Sequence, residues 1–240
     1  MNRFFLTAIL AVLSASSASA ATLYFDFGSS ANPTPGNYNN VDHTQAPILN
    51  AIDSTGAATG IGLAAGGFNE IGPNTNGTTT PSGAAAAFQP EATRDSLFGH
   101  SDNFNAGSPR PLGVVSLTGL DGSGATSYSF TFFASRTGVT DNRETAYAVT
   151  GANSNTAYLN ASSNVSNVAI AAGIVPTATG TISINVNAGP NNSNGSKFFY
   201  LGAMSIESRA IPEPAGVALV MLAIAGFATA RPSSRRGLVS

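Results

Sequence analysis

The sequence contains no cysteine and no tryptophan, only two histidines, and few charges: 10 Lys or Arg and 12 Asp or Glu in 240 residues. The missing cysteines exclude disulfides, thiolate metal sites and cysteine nucleophiles together. The missing tryptophan removes the commonest stacking platform for a sugar ring. At 9% charged against 42% hydrophobic, the composition is the opposite of a highly charged disordered tail. A formal net charge of −2 provides no excess of cations for phosphate neutralisation, so nucleic acid is not an expected partner. No Gly-x-Ser-x-Gly elbow, no Asp-x-Asp-x-Asp loop and no repeat of fixed period occurs. What is present is an Asn/Gly/Ser/Thr-rich body between two apolar ends.

Residues 1–20 read as a secretory signal peptide. Arg3 supplies the positive start, Phe4 to Leu13 is apolar but for Thr7, and Ala18-Ser19-Ala20 places small residues at −3 and −1. The ten-residue run is well short of the roughly 20 residues that a bilayer core requires. The expectation is export by the Sec machinery and cleavage by signal peptidase before Ala21.

The C-terminal segment, 208–240, has three parts: Pro212-Glu213-Pro214, the uncharged run 215–230, and a basic tail 231–240 carrying Arg231, Arg235 and Arg236. The prolines deny helix to the tripeptide. Sixteen helical residues at ~1.5 Å each span a membrane only marginally, and arginines after the span favour a cytoplasmic C-terminus with the body outside. Tripeptide, apolar run and arginine cluster together resemble the PEP-CTERM protein-sorting signal of Gram-negative bacteria. The resemblance implies an exosortase, a membrane-embedded transpeptidase, as partner, with Pro212, Glu213 and Pro214 as its recognition element and Arg231, Arg235 and Arg236 as the basic stop. Here the basic run is interrupted by Pro232-Ser233-Ser234.

The body, 21–207, is mildly acidic. From Leu112 onward the apolar residues alternate with period two and are of β-branched and aromatic types: Tyr128, Phe130 and Phe132; Ile182, Ile184 and Val186; then Phe198, Tyr200, Met204 and Ile206. Phe199 and Leu201 make the last of these apolar on both sides, which predicts a central or covered strand. Turn clusters such as Asp121-Gly122-Ser123-Gly124 and Gly189-Pro190-Asn191-Asn192 separate the runs. The pattern predicts an all-β fold, an antiparallel, jelly-roll-like β-sandwich with long irregular N-terminal loops. Two helical turns are expected over Glu91 to Phe98 behind Pro90. Leu23-Tyr24-Phe25-Asp26-Phe27-Gly28, Phe132 to Arg136 and Asp141 to Thr145 loosely resemble the galactose-binding or malectin-like sandwich domains of secreted bacterial proteins. That resemblance implies a fold and, by analogy, a glycan ligand.

The densest charge cluster is Arg136, Asp141, Asn142, Arg143 and Glu144. It reads either as an arginine fork for a carboxylate or sugar hydroxyls, or as a strand-end ion pair. Tyr38 with Asn39, and Tyr158 near Asn155 and Asn160, are the candidate sugar platforms; loop tyrosines packing on the sandwich are the alternative. His43 and His100 show no ligand spacing. Asp26, Asp102-Asn103 and Asp121 are the available oxygen donors for a structural calcium, which no motif supports. The reading is a non-enzymatic, surface- or matrix-associated structural or interaction protein without a cofactor. A carbohydrate-binding module or adhesin of an extracellular polysaccharide is the alternative, and a secreted hydrolase a third.

Overall fold

The computed structural model describes residues 21–104 and 107–212. Its strands are β1 (Leu23–Gly28), β2 (Tyr38–Asp42), β3 (Gly62–Gly66), β4 (Leu97–Gly99), β5 (Gly113–Thr118), β6 (Thr126–Phe133), β7 (Glu144–Thr150), β8 (Ser154–Asn160), β9 (Ala169–Ile174), β10 (Ile182–Ala188), β11 (Phe199–Leu201) and β12 (Ala203–Ala210). Two five-stranded sheets are formed, ordered β2-β1-β12-β6-β9 and β3-β5-β10-β7-β8, with a two-stranded ladder of β4 and β11 beside them. The signal segment 1–20, Glu213, Pro214, the run 215–230 and Arg231, Arg235 and Arg236 lie outside the described residues. Among the described residues no helix is long and apolar enough to cross a membrane.

Period-two alternation decides what the sheets bury. Phe25 and Phe27 of β1, Phe130 and Phe132 of β6, and Met204 and Ile206 of β12 turn inward to meet Val115 and Leu117 of β5, Tyr147 and Val149 of β7, and Ile182, Ile184 and Val186 of β10 in one continuous core. Each such side chain contributes roughly 1.5–3 kcal/mol by leaving water.

Among the named strands the pairing is antiparallel except between β1 and β2, which run parallel from Tyr24↔Tyr38 to Gly28↔Asp42. After Gly28 the chain doubles back, and Thr34 is tied to Asp26 through its N–H (3.2 Å) and hydroxyl (2.8 Å). β2 therefore begins beside the start of β1, as no tight hairpin would allow.

Two expectations are corrected. The apolar run 198–206 is not one strand: it steps at Gly202, whose N–H donates to the Phe133 carbonyl (3.0 Å) while its own carbonyl accepts from Phe27 (2.7 Å). A Cβ there would stand 3.0 Å from the Asp95 carbonyl oxygen and 3.2 Å from that of Phe133, a tight fit that favours glycine at the step. β12 is central, between β1 and β6. Over Glu91 to Phe98 the helix is a single turn, α1 (Pro90–Thr93), and Leu97–Gly99 is strand. Ser96 exchanges both backbone hydrogen bonds with Asn74 (2.9 Å each), which takes the groups a second helical turn would use.

The first sheet is also covered on its outer face. A 3-10 turn (Gly83–Ala87) and α1 lay Ala85, Phe88 and Ala92 on Tyr38, Phe133 and Ala203, a second small apolar cluster.

Candidate functional site

Beside the β4–β11 ladder, the loops 69–76 and 134–143 frame an open cleft of about 370 Å³. Its floor is aromatic. Phe98 of β4 and Phe104 meet edge-to-face at 5.8 Å, Phe104 and Phe198 do so at 5.1 Å, and Phe198 and Tyr200 lie near-parallel at 6.5 Å. His100 is buried against this floor, 5.6 Å from Phe104 and 5.7 Å from Phe198, with Nδ1 on the Asp102 carbonyl. The rim is held by amides: Asn74 donates to Ser96 Oγ (3.0 Å) and the Ser135 carbonyl (3.2 Å), and Asn69 donates to the Gly72 carbonyl (2.8 Å). Thr137 fastens the 134–143 loop to the rim by donating its N–H (2.7 Å) and hydroxyl (2.9 Å) to the Asn76 carbonyl.

Two arginines complete the wall. Arg143 is immobilised from three sides: its Nε lies 3.2 Å from both oxygens of Asp141, an Nη donates to the Tyr200 hydroxyl, and its guanidinium sits 5.3 Å above the Phe198 ring. Against the upward push of burial, the Asn194 amide and Arg143 hold the Asp141 carboxyl below its usual range. Burial raises the Tyr200 phenol, and Arg143 and Arg136 work against that rise. Arg136 donates to the Thr137 carbonyl.

Of the residues singled out in the sequence, Arg136 and Arg143 are therefore brought together on one cleft. Tyr38 and Asn39 are not there. Tyr38 is 9% exposed, stacked on Tyr24 at 5.2 Å, and its hydroxyl accepts the Gln89 N–H. Asn39, 6% exposed, donates to the Tyr24 and Ile52 carbonyls and accepts from the Ile52 N–H. Neither offers a free face, because β2 turns both toward packed neighbours. Tyr158 is 51% exposed on the edge strand β8 and does not line the cleft. Glu144 binds the Asn191 N–H and amide, outside the arginine pair. Asp26, Asp102-Asn103 and Asp121 lie apart: Asp26 is on β1, Asp102 follows β4, and Asp121 caps the turn into β6 through Ser123 and Thr126. Among the described residues no three His, Asp or Glu side chains gather as a metal-binding group.

The aromatic floor was not singled out from the sequence. Phe98 and Phe198 are about a hundred positions apart, and the β4–β11 pairing, which sets Phe98 opposite Tyr200, brings their segments together.

A second polar cluster lies on the outer face of β1. Asp26 and Asp95, each 2% exposed, are pushed up to about 7 and about 6 by burial, with Asp95 adding to the rise at Asp26 and Arg94 opposing both. The Asp95 carboxylate accepts from the Ser29 N–H (3.1 Å) and occupies the place a side chain at Gly28 would take.

Compared with known protein families, curated proteins and solved structures, the chain matches none.

Proposed function

We propose that the chain is an exported, surface- or matrix-associated interaction protein, sorted through its PEP-CTERM-like C-terminal signal, whose jelly-roll-like, galactose-binding or malectin-like body holds a saccharide of the extracellular polysaccharide in the cleft. One observation carries the saccharide half of this reading: aromatic faces, a fixed arginine and amide groups converge on one open cleft. Sugar rings present apolar C–H faces and a fringe of hydroxyls, and an aromatic floor with planar polar groups at its edge matches both. The volume, about 370 Å³, is at the lower end of ligand sites and suits one or two sugar units. The sorting half is supported by the order of tripeptide, apolar run and arginines, and by Pro212 standing exposed just beyond β12. Its partners in this reading are the Sec machinery, signal peptidase and an exosortase-type transpeptidase.

Two measurements test the two halves. With Pro212-Glu213-Pro214 replaced by three alanines, the protein should keep its C-terminus and stay in the membrane, whereas the unaltered protein loses roughly its last 26 residues and reaches the surface or matrix. An identical full-length, membrane-held product from both genes makes the tail a plain anchor. On a glycan array the purified protein should bind at least one oligosaccharide class, and Phe198→Ala should abolish that signal; an array without signal removes the saccharide reading.

A further inference from the structure

The charges around the cleft do not balance, and the imbalance points to a ligand class. Arg143 is neutralised by Asp141 at 3.2 Å. Arg110, whose backbone pairs with that of His100, is neutralised by Glu70 at 3.3 Å. Arg136 has no such partner: among the described residues no carboxylate lies within 4.0 Å of its guanidinium, whose one hydrogen bond there goes to the carbonyl of its own neighbour, Thr137. Arg136 nevertheless lines the same cleft as Phe198, Tyr200 and Arg143, and its charge acts on the Tyr200 phenol. The backbone of Arg136 is fixed on both sides, its N–H to the Ala161 carbonyl (2.8 Å) and its carbonyl to the Ser163 N–H (2.9 Å). The guanidinium thus stands on an anchored stem with donors to spare. Beside it, where Thr137 holds the Asn76 backbone carbonyl, the side-chain amide of Asn76 makes no hydrogen bond among the described residues.

We propose that the cleft takes a carboxylated saccharide, a uronic acid unit, with Arg136 holding the carboxylate; this rests on the saccharide reading above. A guanidinium offers a planar fork that matches a carboxylate in two parallel, charge-assisted hydrogen bonds. With Arg143 already compensated, Arg136 is the one arginine lining the cleft that meets no carboxylate among the described residues, which suits one carboxylate per bound unit. The sugar face rests on Phe198 and Phe104, and the amide of Asn76 is left for a hydroxyl. A neutral sugar would leave the Arg136 charge in the cleft without a counter-ion, so the preference is set by charge and not by ring shape.

The test uses the full chain and a panel of galacturonate, glucuronate and mannuronate oligosaccharides, each beside its methyl ester, which has nearly the same shape without the charge. At least one acid should bind about tenfold or more tightly than its ester, with the difference shrinking as salt is raised. Arg136→Gln should weaken the acid far more than the ester and so erase that difference, with the thermal unfolding temperature unchanged, and Arg136→Lys should restore part of it. Equal binding of acid and ester, or a preference that survives Arg136→Gln, overturns the uronate inference and leaves the saccharide reading standing. No binding of any acid or ester, together with an array without signal for neutral sugars, overturns both.

Discussion

Phe132 of β6 and Tyr147 of β7 lie face to face between the two sheets, ring centroids 4.4 Å apart and planes within 3°. The Tyr147 hydroxyl continues from this stack to donate to the Tyr200 carbonyl at 2.8 Å, and the Tyr200 side chain carries Arg143 in the cleft. A core aromatic pair is thereby connected, through one backbone group, to the floor of the candidate site.

Tyr147→Phe keeps the stacked ring and removes only the hydroxyl, leaving the buried Tyr200 carbonyl without that donor. The expected loss is about 1–2 kcal/mol. Tyr147→Ala also opens a cavity and should cost about 3–5 kcal/mol. Urea unfolding of both variants checks this, with the denaturant slope unchanged.

The buried carboxyl of Asp26 makes stability depend on pH. Its folded value of about 7 lies above the unfolded value, so the folded chain binds the proton more tightly. That contribution is fully present below about pH 4 and is lost as the pH rises toward 7, a change on the order of 4 kcal/mol from this group if it acts alone. Asp95, raised to about 6, acts in the same direction over a narrower window. Asp26→Asn, uncharged at every pH, should therefore raise the unfolding temperature at pH 8 and change it little at pH 4.5. An equal effect at both pH values would show that the carboxyl titrates normally.

Gly28 and Asp95 compete for one place. A Cβ on Gly28 would fall 1.9 Å from an Asp95 carboxylate oxygen. Gly28→Ala should destabilise by about 1–3 kcal/mol as overpacking does, and Asp95→Ala should absorb most of that loss. A double-mutant cycle measures the coupling, and strictly additive effects would contradict the geometry.

The two tyrosines proposed from sequence as sugar platforms should separate cleanly. Tyr38→Ala removes a packed ring from the outer-face cluster and is expected to cost about 3 kcal/mol. Tyr158→Ala, on the exposed edge strand, should stay within about 0.5 kcal/mol of the parent. Thermal unfolding of the pair, run beside glycan binding, distinguishes a stability residue from a contact residue.

Much of the sheet structure was legible because alternation is local. Tyr128-Phe130-Phe132 and Ile182-Ile184-Val186 turn inward as their spacing requires, since a strand gives each residue a face by parity alone. The break at Gly202 was not legible, because it depends on Phe27 and Phe133 arriving from distant strands to take its two backbone groups. The parallel return of β2 was hidden as well: the connection that brings it back is held by Thr34, tied to Asp26 of β1 and to Asn40 of β2, contacts that no local pattern announces. Arg136 and Arg143 were visible as a charge cluster, but the pairing of Arg143 with Asp141 and the isolation of Arg136 are matters of side-chain direction.

The amino-acid order by itself determined the absence of thiol chemistry, the strand pattern of the body and the succession of Pro-Glu-Pro, apolar run and arginines in 212–240, because each is a property of composition or of neighbours along the chain. Tertiary structure alone decided that Phe98 and Phe198 share a floor, that Tyr38 and Asn39 are buried, and that one arginine of the cleft meets no carboxylate among the described residues. Those outcomes depend on which distant strands pair, and strand pairing places side chains together at ranges where spacing in sequence carries no signal.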